Sequence, residues 1–454
     1  MTRKIRLIFI LALLSLMVGC GKTQNDENEP QPENTIATLG YTPVFDYEVL
    51  PQKSSLVVDK VGYYPGDKKV TYILKDISSL EFKIIDVNTD KEVYEGQFSR
   101  IESEVGNQTG FYLGDFSSLS KAGRYRVFQK DLGYSEEFVV SNNVYDGSIT
   151  DINARIIKHN FRTTSELSYT LANLFLTYEF YGKIFPNDAY VKYLVKLLLQ
   201  EQMDSGAVYE NMLSEREIKQ NEEYIRNSVG LPPAGAGISL SATAEFAGVM
   251  AKYYSDFASN DTEFADECLR AALKAFGYTD QYRDNVSSDS YYYAASELYR
   301  ATGNYKFRTA IALYDSLDES LRTCSDKDYT MLGDIAYLMT SYKTDYNRCD
   351  GLMSRYFDDV LKISDITDRQ HFYVQADIEG LEMDDVLNNM MKLGLVSFII
   401  SGREYSSIQS NYLHYLLGAN PDNINYLSQS VDGKEAMNQD IFLISKMLFV
   451  MNRE

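Results

Sequence analysis

The sequence predicts a β-sandwich followed by an all-helical domain. Between about residues 55 and 145, short runs rich in β-branched and aromatic residues alternate with turn signals. From about Ile149 onward, apolar residues recur with the period of an α-helix. The 454 residues are enough for two such domains, and the segment that precedes them is too polar to add to either core.

The N-terminus has the pattern of a bacterial lipoprotein signal. Three basic residues precede the apolar stretch Leu7–Val18, which is shorter than the ~20 residues that span a bilayer. Gly19 and Cys20 follow directly. We therefore expect residues 1–20 to be a signal peptide and Cys20 to carry a lipid anchor. The alternative is an ordinary secretory signal with a chance cysteine.

Residues 21–54 are rich in acids, amides and prolines and predict a flexible acidic linker. An acidic stretch directly after the lipidated cysteine resembles the surface-export signals of Bacteroidetes-type lipoproteins, although a merely polar linker explains it equally well. In both cases we expect a lipoprotein of the cell envelope, attached to the outer membrane, with exposure on the cell surface if the export signal operates.

Composition excludes several classes of partner. The net charge of −21 argues against binding to nucleic acid or anionic surfaces. Beyond Cys20 the chain has only Cys268, Cys324 and Cys349, which excludes a disulfide framework but leaves room for one bridge. The chain has no Trp but 37 Tyr and 22 Phe. Because sugar-binding clefts rely on flat aromatic faces, this weakens a glycan-binding interpretation, although Tyr can also stack on sugars.

We predict the sandwich to span residues 55–146. Turn signals such as Pro65-Gly66-Asp67 and Ala122-Gly123 separate its strands, and regular short strands over about 100 residues are typical of a sandwich. The predicted strands are 55–58, 69–74, 81–86, 111–113, 125–128 and 137–140.

The helical domain is predicted to span residues 147–454. About twelve apolar-periodic segments follow one another through short loops, with start or stop signals at Ser239, Asp261, Asp289 and Gly303. Six helical hairpins that close on themselves form an (α/α)6 barrel. The period alone fits an open α-solenoid equally well.

Several motifs carry a family resemblance. The run Tyr412–Pro421 (Tyr-Leu-His-Tyr-Leu-Leu-Gly-Ala-Asn-Pro), the pair Asn438-Gln439, and the helices around Ser241–Ala251 and Tyr293–Asn304 resemble segments of the family 9 glycoside hydrolases, which are inverting endoglucanase-type enzymes. The resemblance covers nearly the whole mature chain. It implies an (α/α)6 barrel and carbohydrate as the substrate class, namely β-glucan or cellulose-type polysaccharide.

The segments 61–65, 114–117 and 122–125 resemble the immunoglobulin-like domain that precedes the catalytic domain in many of these enzymes. The resemblance thus implies an Ig-like β-sandwich of the cellulase N-terminal type, with some other sandwich as the alternative. It also implies substrate contacts, which we place at these four positions: Tyr209, Tyr293, Asn420 and Asn438.

The catalytic elements of the family are missing. Inverting hydrolysis needs two carboxyl groups, one as acid and one to activate water. Gln439 stands where the family has its general acid, and an amide cannot donate that proton. No Asp-Ala-Gly-Asp base motif occurs, and Glu166 is the weak candidate for a relocated base. Its place three residues after Thr163 favours a helix capping box instead. Glu435 and Asp440 are interpreted as exposed helix acids.

Other kinds of site find little support. The histidines at 159, 371 and 414 lack metal-ligand spacing, and the acid pairs 358–359 and 384–385 fit solvated helix faces. We expect no metal and no cofactor. The sequence favours a catalytically impaired protein that binds a glycan or acts as a scaffold. An active glycoside hydrolase with relocated carboxylates on an atypical glycan is the alternative, and a protein partner is a third hypothesis.

Overall fold

A computed structural model describes residues 54–102, 110–213, 215–227, 237–324, 327–370, 382–400, 405–428 and 440–452. The N-terminal part is a β-sandwich of nine strands. They are β1 Leu56–Val57, β2 Gly62–Tyr63, β3 Val70–Ile73, β4 Glu81–Asp86, β5 Lys91–Ile101, β6 Phe111–Asp115, β7 Gly123–Gln129, β8 Gly133–Tyr134 and β9 Phe138–Val140.

The strands follow the order β1-β3-β6-β5-β4-β7-β9-β2, with β8 paired to β7. Nearly all pairs are antiparallel, whereas β2 and β9 run parallel. The long strand β5 pairs with β4 in one layer and with β6 in the other, and so links the two layers. Between them lies an aromatic core that includes Tyr63, Phe82, Phe116 and Phe138.

The six strands predicted from sequence are present, but β5 was missed although it is the longest, at 11 residues. Its sequence, Lys-Glu-Val-Tyr-Glu-Gly-Gln-Phe-Ser-Arg-Ile, is mostly polar, and only Phe98 is fully buried. β5 has too few apolar residues to show the alternation of apolar and polar positions that is typical of a strand. The pairing of both its edges determines its conformation instead.

Thirteen α-helices are described. They are α1 Asp146–Lys158, α2 Thr164–Tyr181, α3 Asp188–Gln200, α4 Glu215–Asn227, α5 Leu240–Phe257, α6 Thr262–Gln281, α7 Ser288–Thr302, α8 Tyr305–Asp315, α9 Thr330–Leu338, α10 Tyr346–Gln370, α11 Met383–Ile399, α12 Ser406–Leu416 and α13 Ile441–Met451. Twelve correspond to predicted segments. The additional helix, α4, was missed because its sequence is strongly polar, although its few apolar residues recur with helical spacing.

Six of these helices, α2, α5, α7, α9, α11 and α13, form the inner layer, and most of the others pack outside them. α5 begins at the predicted cap, where the Ser239 hydroxyl accepts a hydrogen bond from the Ala242 amide. α7 ends at Gly303, with φ +67°. The predicted fold class, an N-terminal β-rich domain followed by a helical barrel, is confirmed.

The N-terminal ends of the inner helices lie together. The Ser287 amide at the start of α7 donates to the Ser241 hydroxyl at the start of α5, over 3.1 Å. At the other end, Lys252 of α5 pairs with Glu179 of α2 over 2.7 Å. We call the end that holds the helix N-termini the mouth of the barrel.

The sandwich contacts the barrel at a surface that we call the junction, formed by residues 54–69 and 414–424. The Lys60 amide donates to the Leu417 carbonyl over 3.0 Å, and the Asn423 side chain donates to the Ser54 carbonyl over 2.8 Å. Gly418 approaches so closely that a Cβ there would lie 2.9 Å from the Val58 oxygen. Close packing of the two domains therefore depends on a residue without a side chain.

The three cysteines of the described part are free thiols, so the one bridge that the sequence allowed is not formed. No described helix has the length and hydropathy needed to cross a bilayer. The predicted signal peptide, Cys20 and nearly all of the linker 21–54 lie outside the described residues.

Candidate functional site

Four aromatic rings form the floor of the mouth. Phe442, Tyr169, Tyr329 and Tyr293 come from or precede four different inner helices, and successive ring centroids are 5.6, 5.2 and 5.0 Å apart. Edge-to-face and tilted contacts at these distances are favourable. The three tyrosines are buried, whereas Phe442 is only partly covered and has the Lys327 ammonium 4.1 Å above its ring. Phe442 therefore connects this floor, the aromatic floor, to the rim.

A buried carboxyl group lies beside the aromatic floor. Glu245 of α5 is 2% exposed, and one of its oxygens accepts a hydrogen bond from the Ser290 hydroxyl over 3.0 Å. Burial, with the nearby Asp289 acting in the same direction, raises the pKa of Glu245 to about 7. A carboxyl group with such a pKa can hold a proton at neutral pH.

A buried lysine occupies the opposite side of the mouth. The Lys446 ammonium of α13 donates to Asp384 over 2.6 Å and to Asn388 over 2.8 Å, and lies 5.3 Å from the Tyr169 ring. Burial lowers the pKa of Lys446, although Asp384 opposes that shift. Asp384 was interpreted from the sequence as a solvated helix acid. Its side chain is 39% exposed in the first turn of α11, as that interpretation expected, and its carboxylate is also the counter-ion of a fully buried cation.

Glu166, the weak candidate for a relocated base, belongs to the cap of α2. Its backbone amide donates to the Thr163 hydroxyl over 3.1 Å, as the capping-box spacing predicted. Its two carboxylate oxygens contact the Arg162 amide and the His159 ring, each over 2.8 Å. Each oxygen of Glu166 thus has a protein partner in the turn that begins α2, and the side chain is 19% exposed.

The predicted substrate contact at Asn420 is not supported by its position. The side chain is fully buried and donates to the carbonyls of Tyr415 and Ile424, over 2.7 and 2.6 Å. Its oxygen accepts from the Ile424 amide. Every polar atom of the side chain is thus engaged in closing the turn at the junction. The Leu-Leu-Gly-Ala-Asn-Pro run lies at the junction, and a contact of Asn420 with a substrate stays a prediction.

Two further predicted contacts are also buried. Tyr209 is 1% exposed and packs in a small cluster with Ala207 and Ile238. Tyr293 is fully buried, with its ring where a Cβ on Gly248 would lie. Neither side chain reaches solvent in this structure, so their roles in binding stay predictions. Tyr293 nevertheless belongs to the aromatic floor.

The remaining predicted position, Asn438, lies outside the described residues, as does Gln439. The structure does describe Asp440, which is the N-cap of α13. Its carboxylate accepts hydrogen bonds from the amides of Phe442 and Leu443. Asp440 is therefore a half-buried capping residue and not the exposed helix acid that the sequence suggested.

One group of side chains near the rim has ligand atoms close enough for a metal ion. The ligand atoms of Asp289, Cys324 and Asp328 lie within 4.8 Å of one another. Burial and the two neighbouring acids raise the pKa of the Cys324 thiol. The group offers two carboxylates and one thiol, and a cation bound there would displace the thiol proton.

Glu245 and Lys446 were missed from the sequence. Both carried a usable signal, because each is the lone charged residue in an apolar stretch, Ala-Thr-Ala-Glu-Phe-Ala and Leu-Ile-Ser-Lys-Met-Leu. Charged residues are rarely fully buried unless they have a partner. A search for isolated charges within apolar helices would have found both residues, but not their partners.

Comparison with known proteins covers both domains. The profile of glycosyl hydrolase family 9 matches residues 159–439, and that of the cellulase N-terminal Ig-like domain matches residues 51–133. A sequence search of curated proteins finds no match.

Solved structures with similar folds include a metagenome-derived family 9 endoglucanase, with a TM-score of 0.69 and 16% identity. A family 9 protein of Bacteroides ovatus has a TM-score of 0.66 and 14% identity. A thermostable endoglucanase variant from Alicyclobacillus acidocaldarius has a TM-score of 0.65 and 16% identity. Each match covers 87% of this chain and 98% of the other. At these identities the similarity establishes the fold alone.

Proposed function

Because the chain belongs to glycosyl hydrolase family 9, we propose that it is a cell-envelope lipoprotein that binds β-glucan-type polysaccharide at the barrel mouth without hydrolysing it. The observation that carries the proposal is the state of Glu166. One carboxylate oxygen of this candidate base accepts from the Arg162 amide just before the cap of α2, and the other contacts the His159 ring. The general-acid position, by family resemblance, holds Gln439. Inverting hydrolysis needs both carboxyl groups, so binding is the activity that remains.

The mouth still has features that suit a sugar. Phe442 is partly exposed beside the aromatic floor, and an aromatic face can stack on the apolar face of a pyranose ring. Lys327 and Asp328 at the rim offer a donor and an acceptor for hydroxyl groups. These groups suit a neutral glycan better than a polyanion, because the chain as a whole carries −21.

Binding and cleavage can be tested together on residues 21–454 without the lipid. Calorimetric titration with plant, fungal and host oligosaccharides should give saturable binding of a β-glucan fragment, and mass spectrometry of each mixture should find no products. Phe442→Ala should weaken binding at least about tenfold. Phe398→Ala is the matched control, because that ring is 46% exposed but packs on Phe180 near the C-terminal end of α2. Cleavage products would contradict the proposal, and the absence of binding would favour a protein partner.

Glu245 favours the alternative of an active hydrolase with relocated carboxylates. A carboxyl group with a pKa of about 7 suits a general acid, although it is 2% exposed. If cleavage products do appear, Glu245→Gln, Glu166→Gln and Asp440→Asn should identify the residue responsible, since only its variant loses turnover while binding persists.

Anchoring through Cys20 is a separate part of the proposal, supported by the charged, apolar and Gly-Cys segments of the N-terminus. Cells expressing the full chain should incorporate a labelled fatty acid into it, and Cys20→Ala should abolish incorporation. Protease treatment of intact cells would then distinguish surface exposure from an inward-facing anchor. Incorporation that persists in Cys20→Ala would contradict the assignment of the anchor.

A further inference from the structure

A groove runs along the outer wall of the barrel between α3 and α6. Its volume of about 560 Å³ is in the range of ligand-binding clefts. The side chains that form its two walls are Lys192, Lys196 and Gln200 from α3 and Glu263, Phe264 and Glu267 from α6. We call this feature the outer groove. Both helices follow inner helices that begin at the mouth, so the outer groove starts at the opposite end of the barrel.

The Phe264 ring forms the floor of the outer groove and holds two lysines over its face. The ammonium of Lys192 lies 4.7 Å from the ring centroid, and that of Lys196 lies 5.7 Å from it. Contacts of a cation with an aromatic face at these distances are favourable. Phe264 itself is only 7% exposed. The ring therefore positions the two donors, and recognition of a ligand falls to the polar groups of the walls.

The charges of the outer groove are only partly paired. Lys192 forms an ion pair with Asp261, the residue before the first turn of α6. In the part of the chain that the structure describes, Lys196, Glu263 and Glu267 form no ion pair, and all three are exposed. One free donor on the α3 wall thus stands across the groove from two free acceptors on the α6 wall.

This arrangement suits a neutral ligand that is rich in hydroxyl groups. A hydroxyl group both donates and accepts, so one sugar can accept from Lys196 and donate to a glutamate. An anion would meet Glu263 and Glu267, and a cation would meet Lys196. The helix segment from Lys192 to Gln200 rises about 12 Å, which is longer than one pyranose ring. A chain of sugars can therefore lie along the outer groove.

We propose that the outer groove is a second glycan-binding site, separate from the mouth, which holds a stretch of neutral polysaccharide along the barrel wall. Lys196 donates to sugar hydroxyls, and Glu263 and Glu267 accept from them. The choice of ligand rests on the function proposed for the mouth. A polysaccharide that reaches both sites is held more tightly than a short oligosaccharide, because its second contact forms within the same complex.

Calorimetry on residues 21–454 with Phe442→Ala isolates the outer groove. This variant should keep weak, saturable binding of cellohexaose, and the addition of Lys196→Ala or Glu267→Ala should remove it. Lys274→Ala and Asp204→Ala are the matched controls, because they delete the same charges from an exposed pair 4.0 Å apart that does not line the groove. Both controls should leave the remaining binding unchanged. All four altered side chains are exposed, so the melting temperatures should agree.

Affinity electrophoresis in gels that contain soluble β-glucan tests the same residues without any change at the mouth. Lys196→Ala and Glu267→Ala should each raise the apparent Kd for the polymer at least about threefold, because each removes a hydrogen bond to a charged group. Lys274→Ala and Asp204→Ala should migrate like the unmodified chain.

The outcomes separate the two sites. If Phe442→Ala abolishes binding of cellohexaose and the groove variants migrate normally in β-glucan, the outer groove is not a glycan site and the function proposed for the mouth stands. If Phe442→Ala has no effect and the groove variants abolish binding, the mouth proposal fails and the groove is the glycan site. Binding that survives the combined changes would place the second site elsewhere. An unmodified chain that binds neither probe would overturn both proposals.

Discussion

Gly418 adopts a φ of +134°, and a Cβ there would lie 2.8 Å from Lys60 and 2.9 Å from the Val58 carbonyl oxygen. A side chain would therefore meet both backbone strain and a clash across the junction. We expect Gly418→Ala to lower the free energy of unfolding by about 2–4 kcal/mol, measured by urea denaturation.

Gly133 provides the control for that measurement. It has a φ of +81° but no atom within 4 Å of the position of a Cβ. Gly133→Ala should lower the free energy of unfolding only by the cost of backbone strain, about 1 kcal/mol. Equal losses in the two variants would show that contact across the junction adds nothing to the cost.

Glu297 is 2% exposed and lies near Lys252 and Arg300, away from the mouth of the barrel. Burial raises the pKa of Glu297 to about 7. A carboxyl group with a raised pKa binds its proton more tightly in the folded state, so stability should fall as the pH rises from about 4.5 to 7. Glu297→Gln should reduce that fall by on the order of 2–3 kcal/mol, measured by denaturation at pH 5 and pH 8. Glu92→Gln, on the exposed pair with Lys83, should leave it unchanged. An unaltered slope in Glu297→Gln would contradict the assignment.

The inner helices α2, α5 and α7 are joined near their C-terminal ends by a buried ion network. Glu179 pairs with Lys252 over 2.7 Å and with Arg300 over 3.0 Å, and these two cations, despite its burial, lower the pKa of Glu179 to about 2. The network fills this part of the barrel with charge where apolar packing would be expected. None of these residues stood out in the sequence, because nothing in the sequence around them distinguishes them from ordinary exposed acids and bases on a helix.

The helical elements show what periodicity can and cannot predict. α5 begins where the sequence predicted, because Ser239 caps it and an apolar run follows. Asp261 also begins a helix, but its side chain makes no capping bond. Asp384 is the surface acid that its sequence context predicts, at 39% exposed, but that context gives no sign of its pairing with buried Lys446. A partner 62 residues away leaves no local trace, so the site was less predictable than the fold.

The segment before α13 provides a test of the proposed loss of catalysis. Gln439→Glu places a carboxyl group at the position that resembles the family's general acid. We expect no cleavage of cello-oligosaccharides by this variant in mass spectrometry, because the second carboxyl group would still be missing and Glu166 is held in its cap. Cleavage by Gln439→Glu would show that a base exists elsewhere in the mouth, and Glu245→Gln in the same background would then test that residue.

The β-sandwich and the barrel share buried contacts that neither could satisfy alone. The Asp59 carboxylate faces His414, the Lys60 amide reaches the Leu417 carbonyl, and Ala419 packs in a cluster with Val57 of the sandwich. Separation of the domains would expose this apolar surface and leave Asp59, which is fully buried, without its partner. The resemblance that predicted the two domains from sequence could not predict this coupling, which depends on side chains about 355 positions apart.

We therefore expect residues 21–454 to unfold in one cooperative transition. Tyrosine fluorescence and far-ultraviolet circular dichroism should give the same urea midpoint, and hydrogen exchange should show that strands of the sandwich and inner helices of the barrel lose protection together. Gly418→Ala should separate the two events, with the sandwich opening first because its core is the smaller. Gly133→Ala should keep them coincident. Two distinct midpoints in the unmodified protein would show that the junction contributes less than the cores, and that the two domains are stable independently.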